Sequence, residues 1–594
     1  MILWCGLSIV LLTLSFPPFD QFYLAYVALA PLVAAMVMAK TRRRALVGAY
    51  LTGLVFWALN LYWLTWITLV GYIPLVLVAG LFWLIACWLI RAAFRLRVPV
   101  WISLPLVWIA GEYVRAYMLS GFPWFFLAHS QYEQTLLIQI ADVAGQYGVS
   151  FFVAMVNGVV FSLLYAGLTR EGPVVARLRS KANAMGTAVT AGLLVGIIAY
   201  GLFRTRQETT RPGPVVGIVQ AFHPIALGPS DHKYNVFEWH LELSRRFVGK
   251  DVDLVIWPET MLPAGMNRQF LTADFHRMEP KELRLVGFFF FGPVVWSEGI
   301  PDQEIAGRLE AYVAKLLRPK AETLAEHTRE GGFVLLAGGT SFYKDPDPLG
   351  PRHQWVMQNS ALSYAGDWKS RQHYSKQHLV PFSESVPFRR SWPWLHKKLR
   401  WFVPEEMPQL VAGLETREFT VSRGQERFSL VAPICYEGVF ARVCRDMVYR
   451  NGGKADVLVN MSNDGWFVPQ FGDPPYGRST EHSQHLSAYV FRAIENRVPV
   501  LRSVNTGISA SIDSEGRILS RIDSRQGTLL LDGQRDKEGK LLVDHAPKVL
   551  VDSRRSLYSV LGDVFAQVVS LAALALAVVV AWKARISRKE KDSK

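Results

Sequence analysis

The chain has 594 residues, more than one hydrophobic core usually serves, so at least two domains are expected. Hydrophobic residues make up 51% and charged residues only 19%, with 19 Trp and 34 Phe, which excludes an ordinary soluble composition and predicts a chain partly dissolved in lipid. The net charge of +15 lies largely in short basic clusters beside apolar runs, a pattern that favours membrane orientation over a nucleic-acid partner.

Apolar runs cover roughly 1–17, 21–39, 46–68, 71–90, 100–120, 148–168 and 184–203, and an eighth covers roughly 560–582. A spanning helix needs about 20 residues, so most of these suffice. The first is the shortest; without a basic leader or a small-residue cleavage site it reads as a retained helix. The basic clusters "KTRRR" (40–44), "RAAFRLR" (91–97), "ARLRSK" (176–181) and "KARISRKEKDSK" (583–594) follow the second, fourth, sixth and eighth runs. With the N-terminus inside, all four are cytoplasmic, as the positive-inside bias requires, and "TLVGY" (68–72) falls outside. The expected organisation is a transmembrane domain of about seven helices over 1–203, an extracytoplasmic domain over 204–558, and a C-terminal helix with a basic cytoplasmic tail over 559–594. Glu112 and Arg115, three apart in the fifth run, read as a solvated helix end or an ion pair. "GFPWFFLAHSQ" (121–131) is too short to span and reads as a re-entrant or interfacial piece at headgroup depth.

From residue 204 the texture changes to short β-branched runs alternating with helical stretches: "PVVGIVQA" (214–221), "DLVIWPE" (253–259), "FVLLAGGT" (333–340), "FSLVAPICYE" (428–437), "DVLVNMSND" (456–464) and "VPVLRSVNTGISASI" (498–512). Continuous apolar runs of this length predict strands covered on both faces, and hence an α/β domain. "STEHSQHLSAYVFRAIENR" (479–497) reads as a helix with Ser479 as its cap. Polar residues gather at the ends of these runs: Glu259, Cys435, Asn463 and Asp464. Sites in α/β sheets are built at that edge.

The four cysteines, Cys5, Cys87, Cys435 and Cys444, contain no CxxC, so neither a zinc site nor a disulfide framework is indicated. Taken alone, Cys435 would be an inert buried thiol. Lys376, in "HYSKQHLVPFSESVPF" (373–388), changes that reading, because a thiol, an ammonium and the carboxylates Glu259 and Glu384 are then available to one strand edge. A carboxylate can take the thiol proton, and a fixed cation can steady the oxyanion of a tetrahedral intermediate. The chemistry described is acyl transfer through a thioester. His482 and His485 read as surface helix residues in preference to metal ligands, and no cofactor is expected.

"VIWPET", "YSKQHLVPFSESVP", "APICYEGVF" and "VNMSNDGWF", in this order, resemble the nitrilase (carbon–nitrogen hydrolase) superfamily. Together with the helices on both sides, they resemble its membrane-embedded branch, the apolipoprotein N-acyltransferases. The resemblance implies a multi-pass helical domain joined to a four-layer αββα sandwich. It implies Glu259 as general base, Lys376 as oxyanion stabiliser and Cys435 as nucleophile, with Glu384, Tyr436 and Glu437 in support. It further implies Asn463, Trp466 and Phe467 near the mouth of the site. The implied reaction moves an acyl chain from a phospholipid, typically phosphatidylethanolamine, to Cys435 and then to the amine of a diacylglyceryl apolipoprotein. The implied place is the bacterial cytoplasmic (inner) membrane, with both termini cytoplasmic and the catalytic domain on the periplasmic face. A membrane-tethered amidase or nitrilase, in which water replaces the amine, is the alternative. A transporter would place paired charges or broken helices midway through the spans; Glu112 and Arg115 are the one such pair. Two departures from the family pattern stand out. The stretch between Glu259 and Lys376 is long and carries "LVGFFFFGPVVW" (285–296), either a lid on the bilayer or an inserted core element. Val468 stands where a small residue is expected.

Overall fold

A computed structural model describes the chain except residues 169–180, 224–231, 293, 298, 346–353, 369–371, 390, 402–408, 469–478, 523–526, 535–544 and 593–594. The N-terminal part is helical: Ile2–Ser15, Leu29–Val37, Arg42–Asn60, Leu69–Arg95, Val100–Tyr117, Ala141–Leu168 and Lys181–Thr205, joined at the far end of the chain by Val564–Asp592. Among the described residues four segments are long and apolar enough to cross a membrane: Gly71–Arg95, Ala141–Gly167, Lys181–Thr205 and Val564–Ile586. The short helix Leu29–Val37 is fixed by a buried amide. Asn157 donates to Ala25 O at 2.7 Å and accepts from Leu29 N at 2.7 Å. Such pairs hold helices together where apolar contact alone is not selective.

The aromatic segment 121–131 lies inside protein and not at an exposed headgroup depth. Phe125, Phe126, Leu127, Ala128 and Gln131 are all buried. Glu112 and Arg115 explain its position. The Arg115 guanidinium donates to Phe122 O at 3.1 Å and to Trp124 O, and Glu112 Oε1 accepts from Leu127 N at 2.8 Å. Both side chains are buried, so the helix end is not solvated; the pair satisfies the backbone of an irregular segment.

The remainder is an α/β sandwich. Its strands are β1 (Thr210–Pro212), β2 (Val216–Gln220), β3 (Leu254–Ile256), β4 (Val334–Asp345), β5 (Gln354–Tyr364), β6 (His373–Ser375), β7 (Phe419–Arg423), β8 (Glu426–Val431), β9 (Val457–Ser462), β10 (Val500–Val504), β11 (Ala510–Ile512), β12 (Ile518–Arg521), β13 (Gly527–Leu531) and β14 (Leu550–Asp552). One six-stranded sheet has the order β13-β2-β3-β4-β5-β6 and the other β12-β11-β10-β9-β8-β7. In each sheet the central pairs are parallel: β2 with β3, β3 with β4, β8 with β9, and β9 with β10. Strand alternation separates the layers. Val216, Ile218, Leu254, Ile256 and Leu336 pack inward against Phe428, Leu430, Val457 and Val459 of the second sheet. Val219, Val255, Leu335 and Ala337 face outward to helices including Pro280–Phe291 and Asp302–Tyr312. The Ser503 hydroxyl lies within hydrogen-bonding distance of Val219 O (3.2 Å) and Ile256 O (3.3 Å), so it ties the sheets together. The fold is the expected αββα arrangement with apolar helices attached.

Two further readings need correction, one strand has no forerunner in the sequence reading, and one open alternative is decided. The unread strand is β5, which carries Gln358, Asn359, Ser360 and Ser363 and does not read as an apolar strand in sequence. The run 498–512 is a hairpin, β10 and β11 antiparallel, and not one strand. The aromatic run belongs to the core: Phe289, Phe290 and Phe291 pack on it, and the Phe290 ring lies 5.4 Å from Phe342. Finally, His482 and His485 are buried, because the whole helix Thr480–Asn496 is enclosed between the second sheet and the membrane helices.

Candidate active site

The two sheets deliver four chain segments to one edge. Past β3 the chain runs through Pro258 to Glu259, and past β6 it gives Lys376 at once. Past β8 it turns into Cys435, which opens a 3-10 turn over Cys435–Val439, and past β9 it gives Asn463. Lys376 Nζ lies 2.9 Å from Glu384 Oε1 and 3.4 Å from Glu259 Oε1. Asn359 of β5 donates its amide to Glu259 Oε1 at 2.6 Å and Glu384 Oε1 at 2.9 Å. Asn463 N donates to Glu259 Oε2 at 2.9 Å, and Val380 N to Glu384 Oε2 at 2.8 Å. Every carboxylate oxygen here has a donor, which is what permits charges to be buried. A Cβ at Gly338 would stand 2.5 Å from the Glu259 Cα, so only glycine lets β4 pass this close behind the carboxylate.

Glu437 joins the lysine segment to the cysteine segment. Its carboxylate accepts from Tyr374 Oη (2.8 Å), Gln377 N (2.7 Å), His378 N (2.9 Å) and Ile434 N (2.8 Å). Cys435 itself holds φ +50°, a left-handed conformation that costs a non-glycine residue about 1–2 kcal/mol. Thr260, next to Glu259, is also left-handed at φ +61°. Strain of this kind persists only where surroundings over-determine it.

The electrostatics separate the groups. Burial pushes Glu259 above the ordinary carboxylate range; Lys376 opposes this and Glu384 adds to it. Burial would neutralise Lys376, but Glu384 and Glu259 outweigh it and hold the ammonium charged. Burial raises the Cys435 thiol well above its usual value, and Glu259 adds to this while Lys376 opposes. The resting arrangement is therefore a neutral thiol beside an ammonium and a carboxylate with raised proton affinity, which suits proton transfer at the moment of attack.

Other expected residues take other places. Asn463 gives its side chain to Thr260 Oγ1 (3.1 Å) and accepts from Asn505 (2.9 Å), so it steadies Glu259 from the backbone. Trp466 is 50% exposed, and Phe467 packs edge-on to Trp63, 5.0 Å away. Tyr436 Oη donates to Gly121 O at 2.8 Å, and His378 Nε2 meets Ser120 O at 2.9 Å, so a membrane-side loop touches both catalytic segments. Asn359 was not foreseen; the signal available was an asparagine among the polar residues of an otherwise strand-like stretch. Asp464, Glu481 and His485 cluster as metal ligands could. Arg502 Nη2 already lies 2.8 Å from both Asp464 Oδ2 and His485 Nδ1, and this guanidinium is the cation the cluster holds. A cavity of about 390 Å³ lies beside the site, lined by Ser120, Gln377, His378, Phe440 and Arg442; Cys435 does not line it.

Residues 8–159 match the family model of the apolipoprotein N-acyltransferase N-terminal domain, and residues 215–539 match that of carbon-nitrogen hydrolase. The chain is similar to the apolipoprotein N-acyltransferase of Geobacter metallireducens, 31% identical over 573 residues that cover 94% of this chain and 91% of the relative. That of Rhodopirellula baltica is 26% identical, covering 88% and 89%. Among solved structures, an amidase from Nesterenkonia sp. AN1 matches at 14% identity and TM-score 0.31, covering 55% of this chain and 94% of that one. A carbon-nitrogen hydrolase from Helicobacter pylori G27 matches at 13% identity and TM-score 0.32, covering 53% and 88%.

Proposed function

Because the chain belongs to the apolipoprotein N-acyltransferases within the carbon–nitrogen hydrolases, we propose that it transfers an acyl chain from a phospholipid to the N-terminal amine of a diacylglyceryl apolipoprotein. It is a bacterial membrane enzyme. In this reading Glu259 takes the Cys435 proton, the thiolate attacks the phospholipid ester, and Lys376 holds the oxyanion. The lysophospholipid leaves with the proton from Glu259. The acceptor amine then attacks the thioester, again over Lys376; Glu259 takes the amine proton and returns it to the departing Cys435 sulfur, and the amide product leaves. Glu384 and Asn359 hold Lys376 and Glu259 in register, and Glu437 holds the two catalytic segments together. Phosphatidylethanolamine is the expected donor.

The observation that carries this reading is the Lys376 ammonium seated between Glu259 and Glu384 at 3.4 and 2.9 Å, at a strand edge that apolar helices adjoin. Residues 1–203 and 559–594 anchor the site to the bilayer, and residues 204–558 lie on the periplasmic side, with both chain ends cytoplasmic. The test is lysophospholipid release from purified protein given phospholipid alone. About one equivalent should be released before turnover stalls, with an acyl adduct on Cys435 by intact mass, and acceptor should restart it. Cys435→Ala should abolish both. Continuous release without acceptor would instead indicate a hydrolase.

A further inference from the structure

Helix Thr480–Asn496 is enclosed on all sides, and one of its polar side chains reaches the candidate nucleophile. Tyr489 Oη donates to the Cys435 carbonyl oxygen at 2.8 Å. The same hydroxyl lies 3.3 Å from His485 Nε2, one helical turn back. The shorter contact takes the hydroxyl hydrogen, which leaves Oη to accept from the imidazole. His485 Nδ1 in turn accepts from Arg502 Nη2 at 2.8 Å, and the Arg502 guanidinium lies over the Tyr489 ring at 5.0 Å. The ring has one seat, because Gly438 leaves no room for a Cβ: that atom would stand 2.1 Å from the Tyr489 Cε1.

We propose that Tyr489 is a positioning residue for Cys435, which fixes the direction of Sγ by anchoring the left-handed nucleophile peptide through its carbonyl. Two other ties act on the same turn. Glu437 accepts from Ile434 N, one residue before Cys435, at 2.8 Å, and Asn460 Nδ2 approaches the Cys435 carbonyl at 3.4 Å. The Tyr489 bond is the shortest tie to the nucleophile's own peptide. Without it the peptide plane relaxes, since a left-handed cysteine is held only by what surrounds it. Sγ then leaves its alignment with the base, and misplacement by about 1 Å costs on the order of 100-fold in rate.

The proposal rests on Cys435 being the acyl carrier, and its test separates the two. In Tyr489→Phe the ring and its packing stay and only the hydroxyl goes. The acylation rate at saturating phosphatidylethanolamine, read as the lysophospholipid burst well below either melting transition, should fall about 10- to 100-fold with half-saturation unchanged, while the loss of a buried hydrogen bond lowers the melting temperature by a few degrees at most. The rate of Cys435 alkylation by iodoacetamide, followed on the Cys435 peptide by mass, should fall in the same direction. Alkylation at the wild-type rate overturns the proposal, as does a burst within twofold of wild type. Loss of activity that appears only as the variant begins to melt overturns it as well, since that marks a merely structural hydroxyl. If wild-type protein forms no acyl adduct, the acyltransferase reading fails, and alkylation still decides the role of Tyr489.

Discussion

Glu259 has a raised proton affinity for two reasons, burial first and then the neighbouring Glu384 charge, and Lys376 works against both. A general base must be deprotonated to act, so the acid limb of the acylation rate should lie above the ordinary carboxylate range. Glu384→Gln removes the like charge and leaves Lys376 to Glu259 alone. Both changes favour the carboxylate, so the limb should move to lower pH. Lysophospholipid burst rate against pH, in wild type and variant, measures this; a limb that stays or moves upward refutes the assignment of Glu259 as base. Lys376→Met reads differently, because in the proposed mechanism Lys376 serves both carboxylates and the oxyanion. Its loss should slow the reaction at every pH.

Helix Thr480–Asn496 joins the halves of the protein. The Gln484 side-chain oxygen Oε1 accepts from Trp63 Nε1 at 3.1 Å and Trp124 Nε1 at 3.0 Å, two indoles from separate membrane-side segments. Gln484→Leu leaves both buried donors unpaired, at about 1–3 kcal/mol each. It should lower the melting temperature of the purified protein and slow acylation, because Trp63 also packs on Phe467. A variant as stable as wild type would show that the indoles find other acceptors. This helix also marks the limit of sequence reading. Its span was legible from Ser479 and the spacing of Leu486, Val490 and Ile494, but its buried polar face was not. His482, His485 and Arg492 look like surface residues until partners such as Asp464, Val439 and Gln146 arrive from distant segments. Glu259, Lys376 and Cys435 were legible because each closes a short strand motif. Asn359 was not, since its partners lie 100 and 25 residues away. The segment 121–131 was misread because aromatic composition suits a lipid headgroup layer and a protein interior equally well.

At the scale of the whole chain, the basic clusters and the Lys/Arg-free loop 68–72 argue for the proposed orientation by the positive-inside bias. A reporter fused at Arg177 should read cytoplasmic and one at Gln354 external. The reverse result would put the strand-edge site on the wrong side for a periplasmic acceptor. The contact between the halves has a further consequence. Gly121 and Ser120, just past helix Val100–Tyr117 of the N-terminal helical part, touch Tyr436 beside Cys435 and His378 beside Lys376. A helix that tilts to match a thinner or thicker bilayer carries that loop with it. In the proposed reading the bilayer then acts on this enzyme mechanically as well as supplying its substrate. Membrane thickness becomes a kinetic variable, and turnover in nanodiscs of graded acyl length should pass through an optimum that substrate supply alone would not produce.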